Sequence, residues 1–191
     1  TLFLSIDSHE YSVRKEVCGL LKQQLEKVNK ETKEGDRQFI KNSLVSLLGD
    51  DFMDLTLEVF KIPLEQLLRV FRDNELVGVI MDVMHHEKII SHMLDESVQP
   101  VIMAGFSLLQ DLPVKTVFAE KSVEMVCLFY QYFLACGKPI RKVVLSVMKT
   151  CDSPFTKKLG SLFYKETQEE QTKLLASKLS SKFEKGGDVF Y

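Results

Sequence analysis

The stretch from Pro100 to Cys151 constrains this chain most, because it holds three apolar runs in succession and each run begins at a proline. The three prolines are Pro100, Pro113 and Pro139. Proline is tolerated in the first turn of a helix, where its missing N–H would have no partner. Apolar residues recur at helical spacing on more than one side of each run, so each predicted helix must be covered by others. The stretch therefore predicts a helical centre around which the remaining chain packs.

Two amphipathic helices are predicted before this centre. Asp7 and Glu10 fit a capping box. The helix that follows carries one apolar stripe, formed by Val13, Val17, Leu20, Leu21, Leu25 and Val28. A second helix is predicted from about Arg37, with Gly49 as its C-terminal stop. The charged stretch between them, closed by Gly35, is predicted to be a flexible loop.

Residues 50–62 fit two patterns. Met53, Leu55, Leu57 and Val59 alternate with polar residues, as in an exposed strand. The same segment also forms a helical stripe through Phe52, Leu55, Val59 and Ile62. Because the sequence offers no second strand for pairing, we predict a helix.

Further helices are predicted along the rest of the chain. Pro63 opens one, residues 77–94 form a long one rich in Val, Ile and Met, and Pro154 opens the last apolar one. Residues 166–185 form a narrow amphipathic helix with acidic residues first and lysines last, an order that the helix dipole favours.

The spacing of the prolines indicates a repeat. Pro63 and Pro100 are 37 residues apart, Pro100 and Pro139 are 39 apart, and Pro113 and Pro154 are 41 apart. Over residues 63–165 the chain therefore resembles, in architecture, the HEAT and armadillo-type repeats, whose helix pairs recur at about 40 residues. The resemblance implies an all-α fold, an α-solenoid-like array of antiparallel helix pairs in which each unit covers the apolar face of its neighbour. The alternative is an irregular helical bundle.

The length of 191 residues predicts a single all-helical domain over residues 1–191. Within it we expect an N-terminal helix pair at 8–49, a helical-repeat core at 50–165, a C-terminal amphipathic helix at 166–185 and a tail at 186–191. Because the sequence begins with Thr rather than Met, we expect a fragment of a longer protein. No apolar run approaches the roughly 18 residues of a membrane span, so no membrane association is predicted.

Four cysteines are present, and none forms a CxxC pair. Three of them lie in apolar helical runs, where free cysteine behaves as a small hydrophobic residue. This usage favours a reducing compartment and an intracellular location, nuclear or cytoplasmic. The four are Cys18, Cys127, Cys136 and Cys151.

The segment DVMHHEKIISHMLDE is the one candidate for metal chemistry. On a continuous helix, Asp82, His85, His92 and Glu96 fall near one line. However, His85 and His92 would then lie roughly 10 Å apart along the axis, too far for one ion. A helical metal-dependent enzyme at His85 and His92 is thus a minor alternative to a solvated helix face.

Catalytic and cofactor motifs are otherwise missing from the sequence. It contains no GxSxG, no GxxxxGK[ST] and no GxGxxG. We therefore predict a non-enzymatic protein with no cofactor, no metal and no evident small-molecule substrate.

The distribution of charge points to a binding surface. Residues 50–124 carry 14 acidic and 6 basic side chains, whereas residues 138–191 carry 11 basic and 6 acidic ones. Asp152 is the only acidic residue between positions 138 and 165, a segment whose basic residues are Lys138, Arg141, Lys142, Lys149, Lys157, Lys158 and Lys165.

We interpret this basic group as a candidate site for an acidic protein partner. A nucleic-acid backbone and a merely solvated helix face are the alternatives. The aromatic residues Phe129, Tyr130, Tyr132 and Phe133 are predicted to be core rather than a binding hot spot. The sequence thus predicts a protein–protein interaction module, or scaffold, belonging to a larger intracellular protein or complex.

Overall fold

The computed structural model describes residues 11–48, 53–115, 122–150 and residue 165, and every regular element within these ranges is a helix. The predicted all-α fold is therefore confirmed for the described part of the chain. The helices are α1 (Tyr11–Lys27), α2 (Glu34–Ser46), α3 (Met53–Phe60), α4 (Leu64–Leu67), α5 (Asp73–Met84), α6 (Glu87–Ser91), α7 (Gln99–Gln110), α8 (Ser122–Ala135) and α9 (Lys138–Thr150). None of these helices is long and apolar enough to cross a membrane.

The ambiguous segment before Pro63 is helical, as predicted. Leu55 and Val59 of α3 are buried, and Ile62 just after the helix is buried with them. Burial of this stripe against the core is what the helical spacing predicts, and the strand-like alternation is not used.

The start of α2 was predicted too late. The helix begins at Glu34 rather than Arg37, so Gly35 lies inside its first turn instead of closing the preceding loop. Glu34 and Asp36 both lie in this first turn, where the helix dipole favours negative charge.

The prediction of one long helix over residues 77–94 is wrong, because α5 ends at Met84. His86 has an extended backbone (φ −62°, ψ 132°) and starts the short helix α6. In an uninterrupted helix the Met84 carbonyl would accept from the Lys88 N–H. Instead it accepts from the Tyr132 hydroxyl at 2.6 Å, and the Lys88 N–H donates to Nδ1 of His86 at 3.3 Å. A residue of α8 thus stabilises the break between α5 and α6.

Helix α7 lies at the centre of the described fold, where it contacts α3, α5 and α9. Gly105 permits this close approach, because an added Cβ would collide with Cε of Met84 and lie 3.2 Å from Cε2 of Phe60. The neighbouring Phe106 ring packs edge-on against Tyr132, with ring centroids 5.2 Å apart. Helix α7 therefore joins the N-terminal and C-terminal helices in one apolar cluster.

Helix contacts also connect the two ends of the described chain. Helix α1 contacts α2, α3 and α4, α3 contacts α7, α7 contacts α9, and α8 contacts α9. The prediction that the aromatic stretch is core is confirmed for Phe129, Tyr132 and Phe133, which are buried, while Tyr130 is half-buried.

Several predictions fall outside the described residues. They concern the capping box of Asp7 and Glu10, the stop at Gly49, the helix after Pro154, and residues 166–191.

Candidate functional site: the lysine face of helix α9

Helix α9 has one apolar face and one basic face. Ile140, Val144, Val147 and Met148 are buried against the core, where α9 packs on α7 and α8. Pro139 occupies the second position of the helix, where proline is well tolerated. Burial of this apolar face fixes the rotation of the helix, and hence the direction in which its basic side chains point.

Lys138, Lys142 and Lys149 lie on the exposed face of α9. At about 100° per residue, the three positions fall within roughly 40° of one another, and they span about 16 Å along the axis. Leu145 lies on the same line and is half-buried. We call these four residues the lysine face.

The lysine face has no negative charge of its own. Residues 138–150 contain no Asp or Glu. Within the described ranges, none of the three ammonium groups forms an ion pair, since the pairs there join Lys22 to Glu58, Lys41 to Glu75 and His92 to Asp95. The lysine face therefore presents three positive charges in a row to solvent or to a partner.

Arg141 differs from these lysines because its guanidinium is part of the fold. Its Nε donates to the Phe133 carbonyl at 2.8 Å and its Nη2 donates to the Leu134 carbonyl at 3.2 Å. The guanidinium carbon also lies 5.5 Å from the centroid of the Phe133 ring. These carbonyls belong to the last turn of α8, where helical partners are missing, so Arg141 attaches α9 to α8. Arg141 is half-buried, and any role in partner binding is shared with this structural one.

The remaining predicted basic residues are only partly placed. Lys165 is described and exposed, whereas Lys157 and Lys158 lie outside the described residues. The structure therefore brings Lys138, Lys142 and Lys149 together, with Arg141 beside them as an anchor.

A cleft of about 290 Å³ lies beside the start of α9. Its walls come from the beginnings of α7 and α9 and include Pro100, Met103, Pro139 and Ile140. Glu96 and Gln99 are its polar lining residues. An apolar cleft next to a basic face offers a partner both hydrophobic and ionic contacts.

Two titratable groups near the α8–α9 connection, Tyr132 and Cys136, are buried. Burial raises the pKa of Cys136 to about 11, against the opposing effect of Arg141, and burial also raises the pKa of the Tyr132 hydroxyl. The Cys136 sulfur lies 3.9 Å from the Met93 carbonyl oxygen. A buried thiol with a raised pKa is a poor nucleophile, so Cys136 packs the core rather than supplying chemistry.

The histidines of the predicted metal candidate are separated by the break between α5 and α6. His85 follows α5 and its Nδ1 lies 2.9 Å from the Met81 carbonyl oxygen, whereas His92 follows α6. Nδ1 of His92 lies 3.0 Å from Oδ2 of Asp95, a residue outside the predicted line of ligands. Among the described residues, no group of three or more His, Cys, Asp or Glu side chains could hold a metal ion.

The sequence did not single out a second basic cluster, which surrounds the connection between α1 and α2. Its members are Lys27, Lys30, Arg37 and Arg69. Arg69 lies 32 positions beyond Arg37 in the sequence, and no local pattern joins them. The only local signal was the charged stretch after α1, which was predicted to be merely a flexible loop.

Comparisons of this chain with protein-family models, with curated proteins and with solved structures find no match.

Proposed function

We propose that this chain is a non-enzymatic helical-repeat module that binds other proteins within a larger intracellular protein or complex. The lysine face of α9 is its docking surface for an acidic segment of a partner. The observation that carries this proposal is the row Lys138, Lys142 and Lys149, which has no ionic partner among the described residues. Uncompensated like charges on one helix face are stabilised by a ligand of opposite charge.

The repeat architecture is supported by the order of helix contacts. Helix α1 contacts α3, α3 contacts α7, and α7 contacts α9, so helices that are separated in the sequence pack side by side. The proline spacing of about 40 residues is the period expected for such stacking. A stack of this kind would present the outer face of α9 as one stripe of an extended surface.

A phosphate backbone is the second candidate ligand, because three lysines over about 16 Å also suit nucleic acid. Two features favour a protein instead. Leu145 lies between Lys142 and Lys149 on the lysine face, and the adjoining cleft is walled by Pro100, Met103, Pro139 and Ile140. Apolar contacts of this kind match the hydrophobic part of a protein interface rather than a phosphate chain.

The test compares two triple variants of the full chain as baits for affinity capture from a cell extract. The first carries Lys138→Glu, Lys142→Glu and Lys149→Glu. The matched control carries Lys15→Glu, Lys61→Glu and Lys115→Glu, which reverse the same number of exposed lysines elsewhere. Thermal denaturation followed by circular dichroism checks that both variants fold.

We expect the first variant to lose partners that the wild type and the control variant both retain, and we expect nuclease treatment to leave those partners in place. Partners that disappear on nuclease treatment would favour the nucleic-acid alternative. An identical partner set for all three baits would contradict the proposal that the lysine face binds a partner.

A further inference from the structure

A second surface, where α1 passes into α2, combines an apolar groove with a basic pocket. The groove has a volume of about 360 Å³. The pocket has a volume of about 640 Å³. We call the two together the α1–α2 surface. Its apolar lining is Leu20, Leu21, Val28, Phe39 and Ile40, and its basic lining is Lys27, Lys30, Arg37 and Arg69.

The groove exposes an apolar side chain that the sequence pattern assigns to the core. Leu20 belongs to the predicted apolar stripe of α1, yet 41% of its surface is exposed. Phe39, on the facing helix α2, is only partly buried. An open groove between two helices, with apolar side chains on both walls, is the shape that receives the apolar face of a third helix.

The basic pocket carries a fixed excess of positive charge. Its lining holds four cations and one carboxylate, that of Glu26. Arg37 donates to the carbonyls of Asn29, Thr32 and Arg69, and Arg69 donates to the Glu26 carbonyl at 2.8 Å. These bonds orient the guanidinium groups but leave their formal charge uncompensated. Within the described ranges, neither arginine forms an ion pair.

The groove and the pocket are continuous, because Lys27 and Val28 line both. From Leu20 to Lys27 the distance along α1 is roughly 10 Å, or two helical turns. A ligand whose apolar side chain contacts Leu20 would therefore place a group two turns further on in the basic pocket.

We propose that the α1–α2 surface docks an amphipathic helical segment of a partner protein. Leu or another apolar side chain of the segment fills the groove beside Leu20, and an Asp or Glu about seven positions further on pairs with the basic pocket. Charge complementarity selects this occupant, since a carboxylate accepts the N–H donors of arginine and lysine. The site contains no residue of α9, so it is separate from the lysine face.

The probe is a fluorescein-labelled, Ala-rich helical peptide of roughly 18 residues, long enough to form a helix in water. It carries two leucines one turn apart, followed by two glutamates about seven positions after them. A matched peptide has glutamine in place of both glutamates. Fluorescence anisotropy with the full chain measures the affinity of each peptide.

Four variants locate the binding site. Leu20→Ser tests the groove, with Leu94→Ser as the matched control because Leu94 is exposed elsewhere. Lys30→Glu tests the pocket, with Lys15→Glu as the matched control on the exposed side of α1. We expect the Gln peptide to bind about tenfold more weakly than the Glu peptide, and we expect Leu20→Ser and Lys30→Glu each to weaken the Glu peptide by about fivefold. The two controls should change its affinity by less than about twofold.

Equal affinity for the two peptides would overturn the assignment of an acidic ligand, and unchanged binding in Leu20→Ser or Lys30→Glu would overturn the assigned site. If Lys142→Glu loses binding and Lys30→Glu does not, the peptide binds the lysine face. That result would overturn the α1–α2 site and support the proposed function. Sedimentation velocity measures whether the chain forms a dimer. A dimer that dissociates in Leu20→Ser would overturn the proposal, because the groove would then bind a second copy of this chain.

Discussion

The helix pairs α1–α2 and α8–α9 both have an arginine bound to backbone carbonyls at their connection. The first connection is open to solvent, whereas the second is packed against the core. In each pair, an arginine of the second helix donates to backbone carbonyls that come before that helix, in the connection of α1–α2 and in the last turn of α8. Arg37 of α2 binds the carbonyls of Asn29 and Thr32, and Arg141 of α9 binds those of Phe133 and Leu134. Cations are favoured at helix C-termini because the unpaired carbonyls there carry partial negative charge.

The two connections differ in what surrounds the arginine. Residues 28–33 separate α1 from α2, and their bonds include Asn29 N–H to Thr32 Oγ1 at 2.9 Å and Glu31 N–H to Asn29 Oδ1 at 2.9 Å. Only residues 136–137 separate α8 from α9, and Arg141 lies over the ring of the buried Phe133. The longer connection leaves an open polar pocket, whereas the shorter one closes over an apolar core. Arginine–carbonyl hydrogen bonds of the same kind therefore occur both at an open polar pocket and at a buried helix–helix connection.

The largest expected effect concerns Tyr132, which makes the α8–α9 pair part of the core. We expect Tyr132→Ala to lower the free energy of unfolding by about 3–5 kcal/mol, because it removes a fully buried ring. Tyr132→Phe keeps the ring but deletes the bond to the Met84 carbonyl, and it should cost about 1–2 kcal/mol. Urea denaturation measures both changes. Leu20→Ala in the α1–α2 groove is the matched control, and a loss there as large as that in Tyr132→Ala would contradict the contrast between the two pairs.

This result bears on how far the sequence predicts the fold. The helices after Pro100 and Pro139 follow from local periodicity and proline position, and they are observed, whereas the helix after Pro63 ends already at Leu67. The break at His86 does not follow from either signal, since it depends on a hydroxyl of Tyr132, 48 positions away. The contact from Tyr132 leaves no local trace in the sequence, and the His86 side chain that accepts from the Lys88 N–H is not of a type favoured at helix N-caps.

The candidate site shows the same division. The opposite faces of α9 follow from the spacing of its apolar residues, so the exposure of Lys138, Lys142 and Lys149 was predictable. The anchoring role of Arg141 and the meeting of Arg37 with Arg69 depend on where other helices end, which periodicity does not encode.

The next effect compares the two arginines directly. We expect Arg141→Ala to cost about 2–3 kcal/mol, since it removes two charge-assisted hydrogen bonds and a cation–π contact at a half-buried site. Arg37→Ala should cost about 1–2 kcal/mol, because its carbonyl partners can bind water when the guanidinium is removed. Thermal and urea denaturation report both values, with Lys142→Ala as an exposed control within about 0.5 kcal/mol of the wild type. A larger loss in the free energy of unfolding for Arg37→Ala than for Arg141→Ala would contradict the assignment of α1–α2 as the open connection and α8–α9 as the closed one.

A smaller effect, confined to alkaline pH, concerns the buried thiol beside the α8–α9 connection. Burial raises the pKa of Cys136 from an ordinary value of 9.0 to about 11. Between these two pH values the thiol is mostly neutral in the folded chain and mostly ionised in the unfolded chain. Its contribution to stability is fully present below about pH 9 and is lost as the pH rises towards 11. The rise of the pKa from 9.0 to about 11 limits this loss to about 3 kcal/mol. Urea denaturation of the wild type and Cys136→Ala between pH 8 and pH 11 checks this, and a difference between the two that is independent of pH would contradict it.

The smallest effect concerns the half-buried ion pair of Lys22 and Glu58, which joins α1 to α3 at 2.6 Å. The hydrogen bond from Lys22 lowers the pKa of Glu58, so its contribution is present above the ordinary value of 4.5 and is lost as the pH falls below it. Because 47% of the Glu58 side chain is exposed, we expect Glu58→Gln to cost less than about 0.5 kcal/mol and to have no effect at high salt. Denaturation at two salt concentrations measures this, and a cost that persists in high salt would show that the pair is more shielded than its exposure indicates.

The most direct test of the central claim places a photo-crosslinking amino acid at position 145, in the middle of the lysine face. The matched position is 45 on α2, because Val45 is exposed at 39% and belongs to neither proposed surface. The account predicts that irradiation in cell extract gives protein adducts at position 145 that are missing at position 45, and that they disappear when Lys142→Glu is added. Equal adducts at both positions, or adducts at 145 that persist with Lys142→Glu, would contradict the claim that the lysine face binds a partner.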